Sequence, residues 1–301
     1  LTFDANSQLD FSAASLYLTQ GSNFVWNDGL VISDNTSTLI MSDSNLEIHS
    51  ESAALSSAVV LNFVTVTITQ PISFVDSFYA EYTLLMLTGS SEFSSDVSLI
   101  SSYFYQLSAV TFHTTLTIDG GSFDAFGDAN FRDSVSIDSA NVTLTAGVFN
   151  LVDCDMELYS SDLKSSDLSL RNGSSFTAIA GTASLFDGIC DLSDGSVISN
   201  GSVVSLGEIQ NMHSSAMIVV NNVGKMQFLG GGVISGTIEA YNAEIKVLSR
   251  LVFSKSCFLT LDDGAVLSIE GDSFFENGMI MTTPETSPVT IHIVSGLLSI
   301  D

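Results

Sequence analysis

A hexapeptide of the form apolar-x-apolar-x-x-Gly recurs eight times along the chain and leaves it few folds to choose from: LYLTQG (16–21), LLMLTG (84–89), LTIDGG (116–121), VTLTAG (142–147), LSLRNG (168–173), CDLSDG (190–195), MQFLGG (226–231) and LTLDDG (259–264). Each copy reads as a strand with period-two alternation that ends at a Gly, where φ can turn positive or backbones can approach closely. A second strand then begins, as in Gly173-Ser174-Ser175-Phe176 and Gly264-Ala265-Val266-Leu267. Strands joined by small-residue corners describe a coil rather than a hairpin.

The marked glycines Gly121, Gly147, Gly173 and Gly195 are separated by 26, 26 and 22 residues, the length of one solenoid turn. The longer gap from Gly21 to Gly89 holds two or three degenerate turns. No window sustains apolar residues at helical spacing, whereas Val/Ile/Thr/Phe-rich alternation recurs, as in LNFVTVTIT (61–69) and VTIHIV (289–294). With only Pro71, Pro284 and Pro288, the strands keep nearly all their ladder donors. An immunoglobulin-like sandwich is the competing all-β fold, since Asn172-Gly173, Asp194-Gly195 and Asp263-Gly264 are hairpin-type dipeptides. Trp26 is the sole tryptophan, and no Trp/Cys pair marks a sandwich core.

The pattern resembles right-handed parallel β-helix proteins of the pectin-lyase-like class, and in texture it is similar to surface β-helices such as the polymorphic outer-membrane adhesins. Those adhesins carry G-G-A-[ILV] and F-x-x-N tetrapeptides, which Gly231-Gly232-Val233-Ile234 and Phe274-Phe275-Glu276-Asn277 approximate. The resemblance implies an all-β, right-handed parallel β-helix over residues 1–301 as a single domain. At ~22–26 residues per turn and ~4.8 Å rise, it would have roughly twelve to fourteen turns and be about 60 Å long.

Many β-helices of this class are polysaccharide lyases or hydrolases, so the resemblance also implies two kinds of enzymatic site. A polygalacturonase-like site needs clustered Asp with His-Gly and R-I-K. Asp262-Asp263 is the only adjacent Asp pair, it sits in the turn of LTLDDG, and neither companion motif is present. A pectate-lyase-like site needs a base beside Ca²⁺-binding acids, yet Arg132, Lys164, Arg171, Lys225, Lys246, Arg250 and Lys255 are scattered. His49, His113, His213 and His292 each stand alone, and Gly230-Gly231-Gly232 lacks the Lys-Ser/Thr of a phosphate loop. T-x-T pairs such as Thr65/Thr67, Thr115/Thr117 and Thr143/Thr145 do not recur every turn, as an ice-binding face requires, and the Ca²⁺-binding RTX nonapeptide is missing. No catalytic, cofactor-binding or metal residue is assigned.

Charge narrows the partners. Lys and Arg total 7 against 34 Asp and Glu, a formal net charge of −27, and no base precedes Arg132. Such a chain repels nucleic acid and anionic membranes. Its 45% hydrophobic content supplies a core and excludes disorder. The longest apolar stretches, such as 58–66, are too short to span a bilayer.

Cys154, Cys190 and Cys257 lie far apart without metal-ligand spacing. They read as buried single thiols, with a Cys154–Cys190 disulfide as the other reading. N-x-S/T sequons at Asn35, Asn141, Asn172 and Asn200 are candidate glycosylation sites, three of them in turn-like surroundings. They favour an extracellular or cell-surface location. No signal peptide is visible and the chain opens on Leu1, so it reads as a processed or excised piece of something larger. Both ends are already patterned as strand, which predicts copies stacking end to end into a filament. The expected function is therefore a non-enzymatic structural protein, a fibre subunit or adhesin stalk. The alternative is a β-helix that binds or cleaves a neutral glycan.

Overall fold

A computed structural model describes residues 1–4, 7–28, 30–51, 53–276, 280–283, 289–294 and 298–300. The described chain is all-β and contains no helix. It winds as a parallel β-solenoid of about 14 turns, and it divides into two units, Leu1–Gly147 and Val148–Asp301.

In the first unit a turn consists of three short strands. Ala58–Asn62, Thr65–Ile68 and Ile72–Phe74 are followed, one turn on, by Phe78–Glu81, Leu84–Leu87 and Ser91–Phe93. Each strand pairs in parallel with its equivalent in the next turn: Val59 with Phe78, Val66 with Leu85, Phe74 with Phe93. In the two turns after these, the first two strands merge into Val97–Gln106 and Leu116–Ala125, which stay in register from Val97/Leu116 to Gln106/Ala125. Pairing therefore gives a repeat of 19 residues through positions 59, 78, 97, 116 and 135.

The expected turn of 22–26 residues is too long for these turns, though it holds nearer the ends of the described chain, as from Leu16 to Leu39 and from Ser273 to Leu298. The glycine hexapeptide does not mark one corner per turn. LLMLTG ends the second strand of its turn, whereas LTIDGG lies within a merged first and second strand. Distances between such glycines mix whole turns with fractions of a turn.

Alternation drives the winding. In most described strands every second residue is buried, as in the iBiB pattern of Thr65–Ile68, so the inward residues of successive turns form columns inside the coil. Phe74, Phe93, Phe112 and Phe131 form one such column, their rings nearly parallel with centroids 4.8, 5.0 and 5.5 Å apart. Phe104 and Phe123 stack likewise at 4.8 Å. Burying each ring contributes about 1.5–3 kcal/mol, and each ring pair adds about 0.5–1.5.

Corners carry left-handed backbone. Gly121 has φ +86°, and a Cβ there would meet the Ser102 carbonyl oxygen at 2.0 Å, so only Gly lets the two turns approach. Elsewhere in these corners L-residues take the same conformation, among them Asp43, Phe63, Tyr82, Ser101 and Ser139.

The second unit repeats the scheme with slightly longer turns. Met156, Phe176, Val197, Ile218, Ile238 and Leu259 form an inward column at steps of 20 or 21 residues. Asn172-Gly173 and Asp263-Gly264 both place two successive residues at positive φ, the geometry of a hairpin turn, and here it serves a solenoid corner. All described strand pairings are parallel, so the sandwich alternative falls away. Cys154, Cys190 and Cys257 are buried thiols, none of them in a disulfide. Gly232–Ile234 is a strand that pairs with Leu251–Phe253, while Asn277, Pro284, Pro288 and the end of the chain at Asp301 lie outside the described residues.

Candidate functional site

One face of the first unit carries exposed rings on outward strand positions. It is built from two adjacent columns. Leu84, Tyr103 and Ser122 are register partners in successive turns, and so are Met86, Tyr105 and Asp124. Alternation puts Tyr103 and Tyr105 on the same side of Val97–Gln106, roughly 7 Å apart. Phe126 meets the edge of Tyr105 at 5.5 Å. A shallow groove of about 330 Å³ runs between these side chains, lined by Leu84, Met86, Tyr103, Tyr105, Ser122 and Asp124. Ser122 Oγ donates to the Asp124 carboxylate at 3.0 Å.

The corner that leads into this face extends it. Phe63 and Tyr82 stack with centroids 4.9 Å apart and planes inclined by 12°. Tyr103, Phe63 and Tyr82 are 58%, 56% and 52% exposed, where the inward Phe74, Phe93, Phe112 and Phe131 are 1%. Both corner aromatics sit at positive φ, +54° and +48°. An L-residue costs about 1–2 kcal/mol there, and in the next turns the same corner holds Ser101 and Gly120, which fit it more easily.

Carboxylates adjoin the rings. Glu81 precedes Tyr82 and accepts from the Tyr79 hydroxyl at 3.1 Å. Burial, then the Glu81 carboxylate, raises the Tyr79 hydroxyl above its usual pKa. Glu47 shares the column of Thr67, Met86, Tyr105 and Asp124. The first unit's one base, Arg132, follows Ala129–Phe131 on the third strand of its turn, not the ring-bearing part. A second groove, about 390 Å³, is lined by Glu51, Ala53, Ala54, Pro71, Ile72, Ser73, Ser90 and Glu92 and carries no ring.

Of the four candidate glycosylation sites, three fall elsewhere and one adjoins this face. Asn35 and Asn172 are exposed in turns, Asn141 is exposed at the start of a strand, and Asn200 is half-buried, its amide oxygen accepting from Asn222 at 2.6 Å. Asn141 is the register partner of Ser122 and so lies on the ring-bearing column.

In three sequons the Ser is a buried corner residue. Ser37 donates to the Asp34 carbonyl at 2.6 Å, Ser174 to that of Arg171 at 2.6 Å and Ser202 to that of Ala178 at 2.8 Å. Corner hydrogen bonding thus accounts for an N-x-S pattern at these places without reference to glycans. Beside Asn35, the Ala13 N–H and then the Thr36 hydroxyl hold the Asp34 carboxyl below its ordinary pKa.

Asp262 and Asp263 form an ordinary turn, in which the Asp263 N–H donates to Asp262 at 2.6 Å. His49 bonds the Thr69 hydroxyl at 2.9 Å. Among the bases, Arg171, Lys225 and Lys246 lie 3.5, 3.0 and 2.7 Å from Asp191, Glu244 and Glu270, and Arg250 lies over the Phe274 ring at 4.8 Å. Thr65 and Thr67 stack beneath Leu84 and Met86, so no threonine ladder forms there. Among the described residues no group of three His, Cys, Asp or Glu is placed to hold a metal, and no helix is long and apolar enough to cross a membrane.

Compared with family models, with curated proteins and with solved structures, the chain finds no match in any of the three.

Proposed function

We propose that this chain is a non-enzymatic, secreted or cell-surface structural protein, an adhesin-like β-solenoid whose stacked turns hold a binding face rigid. One observation carries the reading: Tyr103 and Tyr105 stand on two adjoining columns of the first unit, Phe63, Tyr82 and Phe126 flank them beyond the strand ends, and Phe63 and Tyr82 are kept at unfavourable backbone angles. Strained residues that the surroundings hold in place are a mark of functional positions, and exposed aromatic clusters are a mark of interaction surfaces. The resemblance of the repeat pattern to surface β-helix adhesins and the exposed Asn141 sequon fit the same location. A parallel ladder also accepts a further in-register turn from another copy, so growth along the coil belongs to this proposal.

The test is attachment. Beads coated with the protein should adhere to extracellular material from the source organism, and Tyr103→Ala with Tyr105→Ala should abolish adhesion while leaving the circular-dichroism spectrum unchanged. Equal adhesion by the double variant would sink the reading. A second reading, a β-helix that binds or cleaves a neutral glycan, is favoured by the Ser122–Asp124 pair beside the tyrosines, which offers a sugar hydroxyl both donor and acceptor. Release of reducing ends from neutral polysaccharide is its signature.

A further inference from the structure

We infer that the ring-bearing face docks a basic polypeptide segment, Arg-rich and extended, whose guanidinium groups lie on Tyr82, Tyr103, Tyr105 and Phe126 while Glu81 and Asp124 neutralise them. This deepens the binding proposal and rests on it.

Charge complementarity decides the occupant. Leu1–Gly147 holds 16 acids and one base, a formal charge of −15, and that base is not on the ring-bearing strands. An anionic partner is repelled by this field and a cationic one is drawn to it. Rings and carboxylates also alternate at short range. Glu81 is adjacent to Tyr82 in sequence, and Asp124 is adjacent to Tyr105 in register. A guanidinium satisfies both at once, because it stacks on an aromatic face and donates in a fork to a carboxylate. The tyrosines stand roughly 7 Å apart on one side of a strand, which matches the two-residue repeat of an extended segment. Every second residue of such a segment faces the rings, so the fitting sequence alternates Arg with a small residue.

The second unit also sets rings beside carboxylates, Tyr159 with Glu157 and Tyr241 with Glu239, but not two tyrosines on one side of a strand. Its acidic surface is interrupted by Lys225 and Lys246, paired with Glu244 and Glu270, and Arg250 already covers the Phe274 ring.

The experiment uses the full chain and a fluorescently labelled peptide of alternating Arg and Ser, with binding read by anisotropy. Polycations stick to any strongly acidic protein, so the decisive variants change no charge. Tyr103→Ala with Tyr105→Ala should weaken binding about tenfold or more, and Tyr103→Phe should retain it. Asp124→Asn should weaken it less and flatten its salt dependence. Thermal melts of each variant establish that the fold is kept.

Binding that is indifferent to the ring variants would reduce the effect to bulk charge and overturn the inference. So would saturable binding of a neutral oligosaccharide that depends on Tyr103 and Tyr105 while the peptide does not bind. If the double alanine variant loses adhesion but the peptide never binds, the occupant is wrong and the adhesive reading stands. If adhesion is also untouched, both fail.

Discussion

Phe93 lies between Phe74 and Phe112, stacked on both at 4.8 and 5.0 Å. Its truncation removes both stacks and the contacts with Phe78 and Phe104, and leaves a cavity that β-strands fixed by ladders above and below cannot close. Phe93→Ala should cost about 3–5 kcal/mol, read as a lower denaturant midpoint; a loss under ~1 kcal/mol would show the column to be loosely held. Phe63 behaves in the opposite way. Phe63→Asn relieves the left-handed strain, since Asn tolerates that region, but removes the stack on Tyr82. The two effects nearly cancel, and stability should change by less than about 1 kcal/mol.

The thiols make a pH prediction. Burial pushes Cys190 and Cys257 from 9.0 up to about 12. Above pH 9 the unfolded chain releases protons that the folded chain retains, so the stabilisation present below that pH is lost as pH rises toward 12. The slope is at most about 1.4 kcal/mol per pH unit for each thiol. Cys190→Ala with Cys257→Ala should flatten the decline, and an unchanged alkaline profile would contradict it.

At the level of strands and corners, the all-β coil could be read from alternation and glycine, but its period could not be read from the glycines. A better signal was present in Phe74, Phe93, Phe112 and Phe131, spaced by the 19 residues that pairing later reveals. Corners hid the ring-bearing face. LNFVTVTIT looks like one strand, yet the strand Ala58–Asn62 stops, Phe63 turns through φ +54°, and Thr65–Ile68 begins in a new direction. Aromatic residues favour strands by propensity, so a corner occupied by Phe leaves no mark in the sequence. Only the turn-to-turn register unites Tyr103 with Leu84 and Tyr105 with Asp124.

The same register yields a test by deletion. Removing residues 97–115 excises one whole turn and brings Leu116 to the position Val97 held against Phe78, with its inward orientation kept. That variant should still melt cooperatively. Inserting one residue after Thr117 reverses inward and outward sides for the rest of Leu116–Ala125 and should unfold the unit locally, as hydrogen exchange would detect. Equal tolerance of both changes would mean that register is not what holds the turns.

For the molecule as a whole, 34 acids against 7 bases mean that like-charge repulsion opposes the compact state. Its few ion pairs are largely exposed and offset little of this. Raising ionic strength from about 10 mM to about 150 mM, where the screening length falls from ~30 to ~8 Å, should therefore raise the melting temperature; a fall would mean that the pairs outweigh the repulsion. A repeat of 19 also governs how residues 59–135 can vary over time. Two residues separated by 19 touch, whereas residues far closer along the chain point to opposite sides. Substitutions in relatives of this chain should therefore compensate one another in pairs at that fixed separation, a stripe of covariation running parallel to the sequence, and a duplication of one repeat in the gene would lengthen the coil by a turn without creating a single new kind of contact.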